Sequence, residues 1–308
     1  NAPATTEIYT LGRSSAASDV YKRQVELLDA AVGGELQSQV RINARPYFFP
    51  SLQGGTLTMI GMEVGKRGLL FGASDAVGVA ADGMPNEAAS MELFGALLQD
   101  GQEVGRLGAV FDLRRDLGTE ELSSVYSFGD TLQPGSYELV WGVRDTISGL
   151  AGTRRDSIEV PEFGSDLTTS TVLLARGFGG APGVFGPNTV YPGIRVLTAT
   201  FDDDLDRIIV PAETPEISLT YIVIGAQLDP ATQSFNLEMT YRILDNETDQ
   251  SILRTPAQSS TRTTVAQPIP LSTVSGLEAG KTYRFEITIR DLAADTETVV
   301  EVPFEVGG

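Results

Sequence analysis

A strand-forming pattern that occurs twice, about 145 residues apart, most constrains what this chain can fold into. The first copy, LQPGSYELVWGVRDTISGLAGTRRDSIEVPEF, occupies residues 132–163 and alternates apolar with polar or small residues. A period of two places alternate side chains on opposite faces of a β-strand. Pro134-Gly135 is a turn signal, and a second alternating run ends at Pro161. The copy therefore predicts turn, strand, loop and strand, with Tyr137 in the position of a tyrosine corner and Trp141 in the core.

The second copy lies at the end of the chain, between residues 277 and 306. One residue is inserted between its glycine and its tyrosine, and the matching residues are Leu277, Gly280, Tyr283, Phe285, Ile287, Ile289, Arg290 and Asp291. A spacing this long is not a solenoid period, so it predicts two similar domains in tandem.

The length agrees with two domains, since 308 residues suit a pair of units of ~120–140 residues each. About seven strands are predicted before a short polar linker at 162–168, and seven is the number typical of an immunoglobulin-like sandwich. We therefore predict an all-β chain with two tandem immunoglobulin- or fibronectin-III-like β-sandwiches, at 35–163 and 168–308. A short helical lead-in is predicted at 25–34, where VELLDAAV precedes two glycines.

Local signals place further strands. Asp100-Gly101 predicts a hairpin between strands at 91–98 and 104–113. The segment 56–64 is apolar at both parities, which predicts a central strand. No run approaches the 18 apolar residues that a transmembrane helix needs.

The segment Ser14 to Gln24, SSAASDVYKRQ, matches a translated sequencing adapter of the transposase type at all eleven positions. We interpret it as an assembly artefact in environmental sequence data and predict that residues 1–24 are disordered. The chain has no initiator methionine or signal-peptide pattern, so we expect it to be the inside of a longer protein.

Composition excludes several functions. The net charge of −19 argues against binding nucleic acid or anionic lipid, which both need clustered Lys and Arg. The chain contains no Cys and no His, which removes disulfides, thiolate nucleophiles, Ser-His-Asp triads and the usual zinc ligands. A carboxylate pair of the glycosidase kind stays open, but nothing marks two of the 41 acidic residues. We predict no enzyme and no required cofactor.

Two segments are candidate sites. Asp202, Asp204, Asp206 and Glu213 have the spacing of a calcium loop, but Arg207 replaces the required glycine and no helices flank it. A solvated acidic turn is the preferred interpretation, with a calcium ion as the alternative. The glycine-rich segment 176–193 lacks a phosphate-loop GK[ST] and is interpreted as a surface loop whose aromatic residues could meet a protein partner.

The two hairpins resemble the C-terminal region of bacterial von Willebrand factor type A-related and GWxTD-domain proteins, best known from acidobacteria. The resemblance covers about residues 25–306 and includes Leu132 to Pro161, GALLQDG at 95–101 and Leu277 to Asp291. The D-x-S-x-S and G-W-x-T-D motifs of these families are absent, so their metal-dependent adhesion chemistry is carried onto no residue here. The resemblance implies an exported protein, periplasmic or extracellular.

The resulting hypothesis is a non-catalytic structural or interaction region of an exported bacterial protein. Its β-sandwiches would act as a spacer or would bind a protein through a sheet edge or the 176–193 loop. The alternative is a carbohydrate- or calcium-binding accessory module of a larger enzyme. The sequence determines neither the ligand nor the oligomeric state.

Overall fold

The computed structural model describes residues 15–51, 54–73, 87–115, 126–178, 194–196 and 208–307. Over these ranges the protein is all-β, with two β-sandwiches and one α-helix, α1 (Ser15–Val32). Within these ranges, no helix has the length and apolarity needed to cross a lipid bilayer.

The first sandwich packs a three-stranded sheet, β1-β2-β6, against a sheet in the order β5-β4-β7-β8 with β3 beside the end of β4. Its strands are β1 (Ile42–Pro50), β2 (Thr56–Val64), β3 (Gly72–Ala73), β4 (Glu87–Gln99), β5 (Gln102–Arg114), β6 (Tyr126–Leu132), β7 (Gly135–Asp145) and β8 (Ala151–Val160). The strands of each sheet pair antiparallel, as the alternating patterns predict.

The second sandwich packs the sheet β11-β10-β13-β17 against the sheet β12-β19-β18-β14-β15. Its strands are β9 (Thr168–Thr169), β10 (Leu173–Phe178), β11 (Ile194–Val196), β12 (Ile208–Pro211), β13 (Ile217–Ile224), β14 (Leu237–Asp245), β15 (Ser251–Arg254), β16 (Gln258–Ser260), β17 (Thr264–Ile269), β18 (Thr282–Asp291) and β19 (Thr296–Gly307). A 3-10 turn at Leu271–Thr273 follows β17, and β12 runs parallel to β19.

The two sandwiches share one strand order. The seven main strands are β1, β2, β4, β5, β6, β7 and β8 in the first sandwich and β10, β13, β14, β15, β17, β18 and β19 in the second. In each sandwich, the first, second and fifth of these form one sheet and the third, fourth, sixth and seventh form the other. This is the arrangement of immunoglobulin- and fibronectin-like sandwiches, so the predicted fold class is confirmed. The predicted hairpin is also present: Asp100 and Gly101 have φ of 52° and 76°, and Gln99 pairs with Gln102. These positive φ values suit a two-residue hairpin turn.

The tyrosine of each hairpin copy bonds to the backbone of the turn that precedes it. The Tyr137 hydroxyl donates to the Gln133 carbonyl at 2.9 Å, and the Tyr283 hydroxyl donates to the Gly276 carbonyl at 3.0 Å. Each tyrosine therefore pins the turn that precedes its own strand, as a tyrosine corner does. Trp141 is fully buried, as predicted, and its Nε1 donates to Asp156 at 2.9 Å.

The aspartate that ends each repeated strand ties a turn to a distant loop. Asp145 accepts hydrogen bonds from the backbone of Ile147 and from Leu70 N at 3.0 Å. Asp291 accepts from Ala293 N and from Gln227 N at 2.7 Å. Burial acts to raise the pKa of Asp145, but the hydrogen bonds that it accepts outweigh burial and hold the pKa below its ordinary value.

The helix differs from the prediction in its length. It begins at Ser15, ten residues before the predicted helical lead-in, and so includes most of the adapter-like segment. No glycine or proline interrupts residues 15–32, and Ala, Leu, Lys and Arg favour a helix. Its apolar face, with Leu28 and Ala31 buried, covers Phe94, Leu98 and Val140 on the outer face of the four-stranded sheet.

Candidate interaction surfaces

The outer face of the three-stranded sheet is an apolar surface that the second sandwich covers. Tyr47, Phe49 and Met59 point away from the first core and form a buried cluster with Leu173 of β10. We call this cluster the joint. Burial raises the pKa of Tyr47 above its ordinary value, so its phenol stays neutral. The segment 56–64, predicted to be central, is buried on both faces because the core takes one face and the joint takes the other.

Hydrogen bonds from backbone and threonine side chains reinforce the joint. Phe48 N donates to Thr171 Oγ1 at 2.9 Å, and Thr171 N donates to the Phe48 carbonyl at 2.9 Å. Nearby, Thr56 Oγ1 donates to the carbonyl of Pro161, where the linker begins. The linker is thus held at both of its ends. Thr56 of β2 holds its start, and its end continues into β9, which pairs with β13 of the second sandwich.

A second surface is the edge of the four-stranded sheet at β5. This strand has 13 residues and, among the described residues, pairs only with β4. Val104 and Val110 are 43% and 49% exposed on it. A long edge strand presents unpaired N–H and C=O groups to which another chain can add a strand. The predicted use of a sheet edge as a contact surface therefore has a definite candidate in β5.

The third surface is an open cleft of about 1450 Å³ on the first sandwich, which we call the basic cleft. Four parts of the chain form it: residues 36–42 between α1 and β1, residues 65–71 after β2, Arg115 after β5, and residues 150–155 at the start of β8. Backbone hydrogen bonds hold the first segment on the β8 edge, with Thr153 N donating to the Gln37 carbonyl at 2.8 Å. Gly65 N donates to the Arg41 carbonyl at 2.7 Å and joins the second segment to the first.

The charge of this lining is opposite to that of the whole chain. None of the 18 lining residues is acidic and six are basic: Arg41, Lys66, Arg67, Arg115, Arg154 and Arg155. At the average composition of the chain, 18 residues would carry about two acidic side chains and about one basic side chain. The fold therefore gathers basic side chains at this place, although the net charge of the chain is −19.

Contacts fix the basic side chains of the cleft in place. Lys66 is only 9% exposed, and its Nζ donates to the Arg115 carbonyl at 2.6 Å. The Arg115 guanidinium lies 5.3 Å from the centre of the Phe71 ring, a cation–π distance. Arg155 donates to the carbonyl of Val32, the last residue of α1, at 2.7 Å. The helix dipole favours a positive charge at this end of a helix.

Sequence reasoning missed the basic cleft because its residues come from four separate segments. A signal was nevertheless present. Lys66-Arg67, Arg114-Arg115 and Arg154-Arg155 are basic doublets in a chain with only 22 basic residues. The fold brings one or both members of each doublet to the same cleft.

The structure describes only some of the residues that the sequence suggested as sites. Asp202, Asp204 and Asp206 lie outside the described residues, and only Glu213 of that pattern is described, as exposed. Across the described ranges, no cluster of three or more acidic residues could hold a metal ion. Of the loop at 176–193, only the first three residues are described, in the end of β10. Trp141 is buried in the core and offers no platform for a sugar.

No model of a known protein family matches the chain, and no curated protein matches it in sequence. Three solved structures are similar to it in backbone, and all are larger chains. Latent PorU from Porphyromonas gingivalis is 12% identical, with a TM-score of 0.34 over 91% of this chain and 21% of PorU. A DUF4785 family protein from Legionella pneumophila is 8% identical, with a TM-score of 0.22 over 87% and 57% of the two chains. Escherichia coli alpha-2-macroglobulin activated by porcine elastase is 11% identical, with a TM-score of 0.25 over 88% and 24%.

Proposed function

We propose that this chain is a non-catalytic structural and interaction region of an exported bacterial protein, in which two coupled β-sandwiches hold attached parts at a fixed distance. The joint is the observation that carries the proposal. Domains in one chain move relative to each other by default unless their interface is sizeable and apolar. Here four buried apolar residues and reciprocal hydrogen bonds between Phe48 and Thr171 connect the sandwiches.

Export and the bacterial origin rest on the resemblance of the two hairpins to von Willebrand factor type A-related and GWxTD-domain proteins. The absence of Cys and His from the sequence supports a non-catalytic role, because it removes the commonest nucleophiles and general bases. Turnover of any substrate by the purified full chain in an unbiased hydrolase screen would contradict that role.

A distance measurement tests the spacer. The chain has no native cysteine, so two introduced cysteines can each carry a spin label. Val110→Cys and Val299→Cys place the labels on exposed positions of β5 and β19, one in each sandwich. Pulsed electron paramagnetic resonance should give one narrow distance distribution, because the joint fixes the two bodies.

A matched pair within one sandwich supplies the reference width. Val110→Cys and Ile147→Cys both lie in the first sandwich, and Ile147 is 65% exposed. The distribution between sandwiches should be about as narrow as this reference, and Phe49→Ala should broaden it. A broad distance distribution between the sandwiches, without Phe49→Ala, would contradict the rigid-spacer proposal.

A further inference from the structure

We propose that the basic cleft binds an acidic peptide segment of a protein partner, one that also carries apolar side chains. The lining has six basic and no acidic residues, so an anionic ligand is favoured by charge. Arginine suits carboxylates because its planar guanidinium can pair with both carboxylate oxygens. Three of the six basic residues already make ion pairs within the chain: Arg115 with Glu87, Arg154 with Asp156 and Arg155 with Glu138. The six basic side chains of the lining outnumber the three acidic residues of these pairs.

The apolar part of the lining distinguishes a peptide from an inorganic anion or a polyanionic sugar. Leu36 is 51% exposed at the cleft, and Phe71 and Leu150 are half-buried in it. These side chains gain free energy only if the ligand brings apolar surface of its own. The volume of about 1450 Å³ also exceeds the ~300–1,000 Å³ that is typical of a small-molecule pocket.

The β8 edge offers the backbone contacts that an extended peptide needs. Residues 37–40 occupy this edge only as far as Thr153, through the bridge between Ser38 and Gly152. From Arg154 to Val160, the structure describes pairing of β8 with β7 alone. A peptide lying in the cleft can therefore continue the strand that residues 37–40 begin, with its carboxylates near the arginines.

The acidic remainder of the chain limits the partner to a short segment. The net charge is −19, so a long polyanion such as heparin or nucleic acid would lie against acidic surface as soon as it left the cleft. A short acidic segment places its charges inside the cleft, where the lining carries six basic and no acidic side chains.

Selection from a displayed library of random twelve-residue peptides tests the proposal on the full chain. We expect enrichment of peptides rich in Asp, Glu and aliphatic residues. A labelled synthetic peptide of the enriched sequence should bind with an affinity that falls steeply with added salt, as charge pairing requires. Replacing its Asp and Glu with Asn and Gln should weaken binding at least about tenfold.

Charge-matched variants locate the site. The double variant Arg41→Gln and Arg67→Gln removes two exposed charges from the cleft and should weaken peptide binding at least about tenfold. Arg254→Gln and Arg262→Gln remove two exposed charges from the second sandwich, and this variant should keep the affinity within about twofold. Both variants should retain the parent melting temperature, which separates lost binding from lost folding.

Several results would overturn the proposal. They are no enriched peptide, enrichment of peptides without acidic residues, or equal loss of binding in the two double variants. Tighter binding of a heparin fragment than of the best peptide would assign the cleft to polyanionic sugars instead. Since none of these readouts depends on the distance between the sandwiches, failure here leaves the spacer proposal standing.

Discussion

At the scale of single residues, the carboxylate of Asp145 holds two loops of the first sandwich together. Its two carboxylate oxygens accept from Ile147 N, Leu70 N and the Ser148 hydroxyl, and the residue is fully buried. Asparagine has one acceptor oxygen, so Asp145→Asn leaves at least one buried donor facing an amide. The expected cost is about 2 kcal/mol, which corresponds to a fall in melting temperature of roughly 4–8 °C for a domain of this size.

Asp245→Asn is the matched control. Both backbone donors, Glu247 N and Thr248 N, bond to a single oxygen of Asp245, so asparagine can keep both bonds. This variant should melt within about a degree of the parent protein. If Asp245→Asn cost as much as Asp145→Asn, the explanation by orphaned donors would be wrong.

The lowered pKa of Asp145 gives its contribution a pH dependence. A carboxyl whose pKa is lower in the folded than in the unfolded state stabilises the fold above its unfolded pKa, near the ordinary value of 3.8. That contribution is lost as the pH falls through the folded pKa. The difference in melting temperature between the parent and Asp145→Asn should therefore be full near pH 7 and shrink at about pH 3. A constant difference would contradict the shift.

At the scale of elements, the end of β13 is clamped to the linker through Gly225. Its φ is +77°, and a Cβ there would lie 2.3 Å from the Asp166 carbonyl oxygen. Gly276 also has positive φ, +99°, but its Cβ would meet nothing closer than 3.7 Å. Gly276→Ala should cost about 1–2 kcal/mol for backbone conformation alone, and Gly225→Ala at least about 1 kcal/mol more for displacing the linker. Chemical denaturation of both variants measures the difference, and equal costs would refute the clamp.

Elements whose signals are local could be predicted from the sequence. Asp100-Gly101 specified a hairpin turn, and alternation specified the faces of β7 and β18. The start of α1 differs from the prediction because the adapter-like segment, interpreted as an artefact, has no glycine or proline between residues 15 and 24 and continues the helix. The joint and the basic cleft were missed because both bring together residues more than about 100 positions apart, such as Phe49 with Leu173 and Arg41 with Arg154. No local pattern reports such contacts.

At the scale of the whole molecule, the joint should couple the unfolding of the two sandwiches. Trp141 is the only tryptophan, so its fluorescence reports on the first sandwich, whereas circular dichroism reports on both. In the parent protein the two signals should change together in denaturant, because coincident transitions indicate one cooperative unit. Phe49→Ala and Leu173→Ala should each separate them.

A double-mutant cycle checks that these two residues act through each other. Residues in contact show coupling energies of about 0.5–3 kcal/mol, whereas distant residues add independently. We expect the coupling energy between Phe49→Ala and Leu173→Ala to fall within this range. Val299→Ala, at an exposed site on β19, should be additive with either one. Additivity between Phe49 and Leu173 would mean that the joint does not join the two sandwiches.

The covering of both outer faces of the first sandwich has a consequence for biosynthesis. The side chains of Tyr47, Phe49 and Met59 leave the ribosome well before Leu173, which follows Met59 by about 110 residues. At ~5–20 residues per second this interval lasts roughly 6–20 s. During that time the nascent first sandwich exposes an apolar sheet face that is buried in the finished protein. Avoiding aggregation then depends on a chaperone or on the speed of translation.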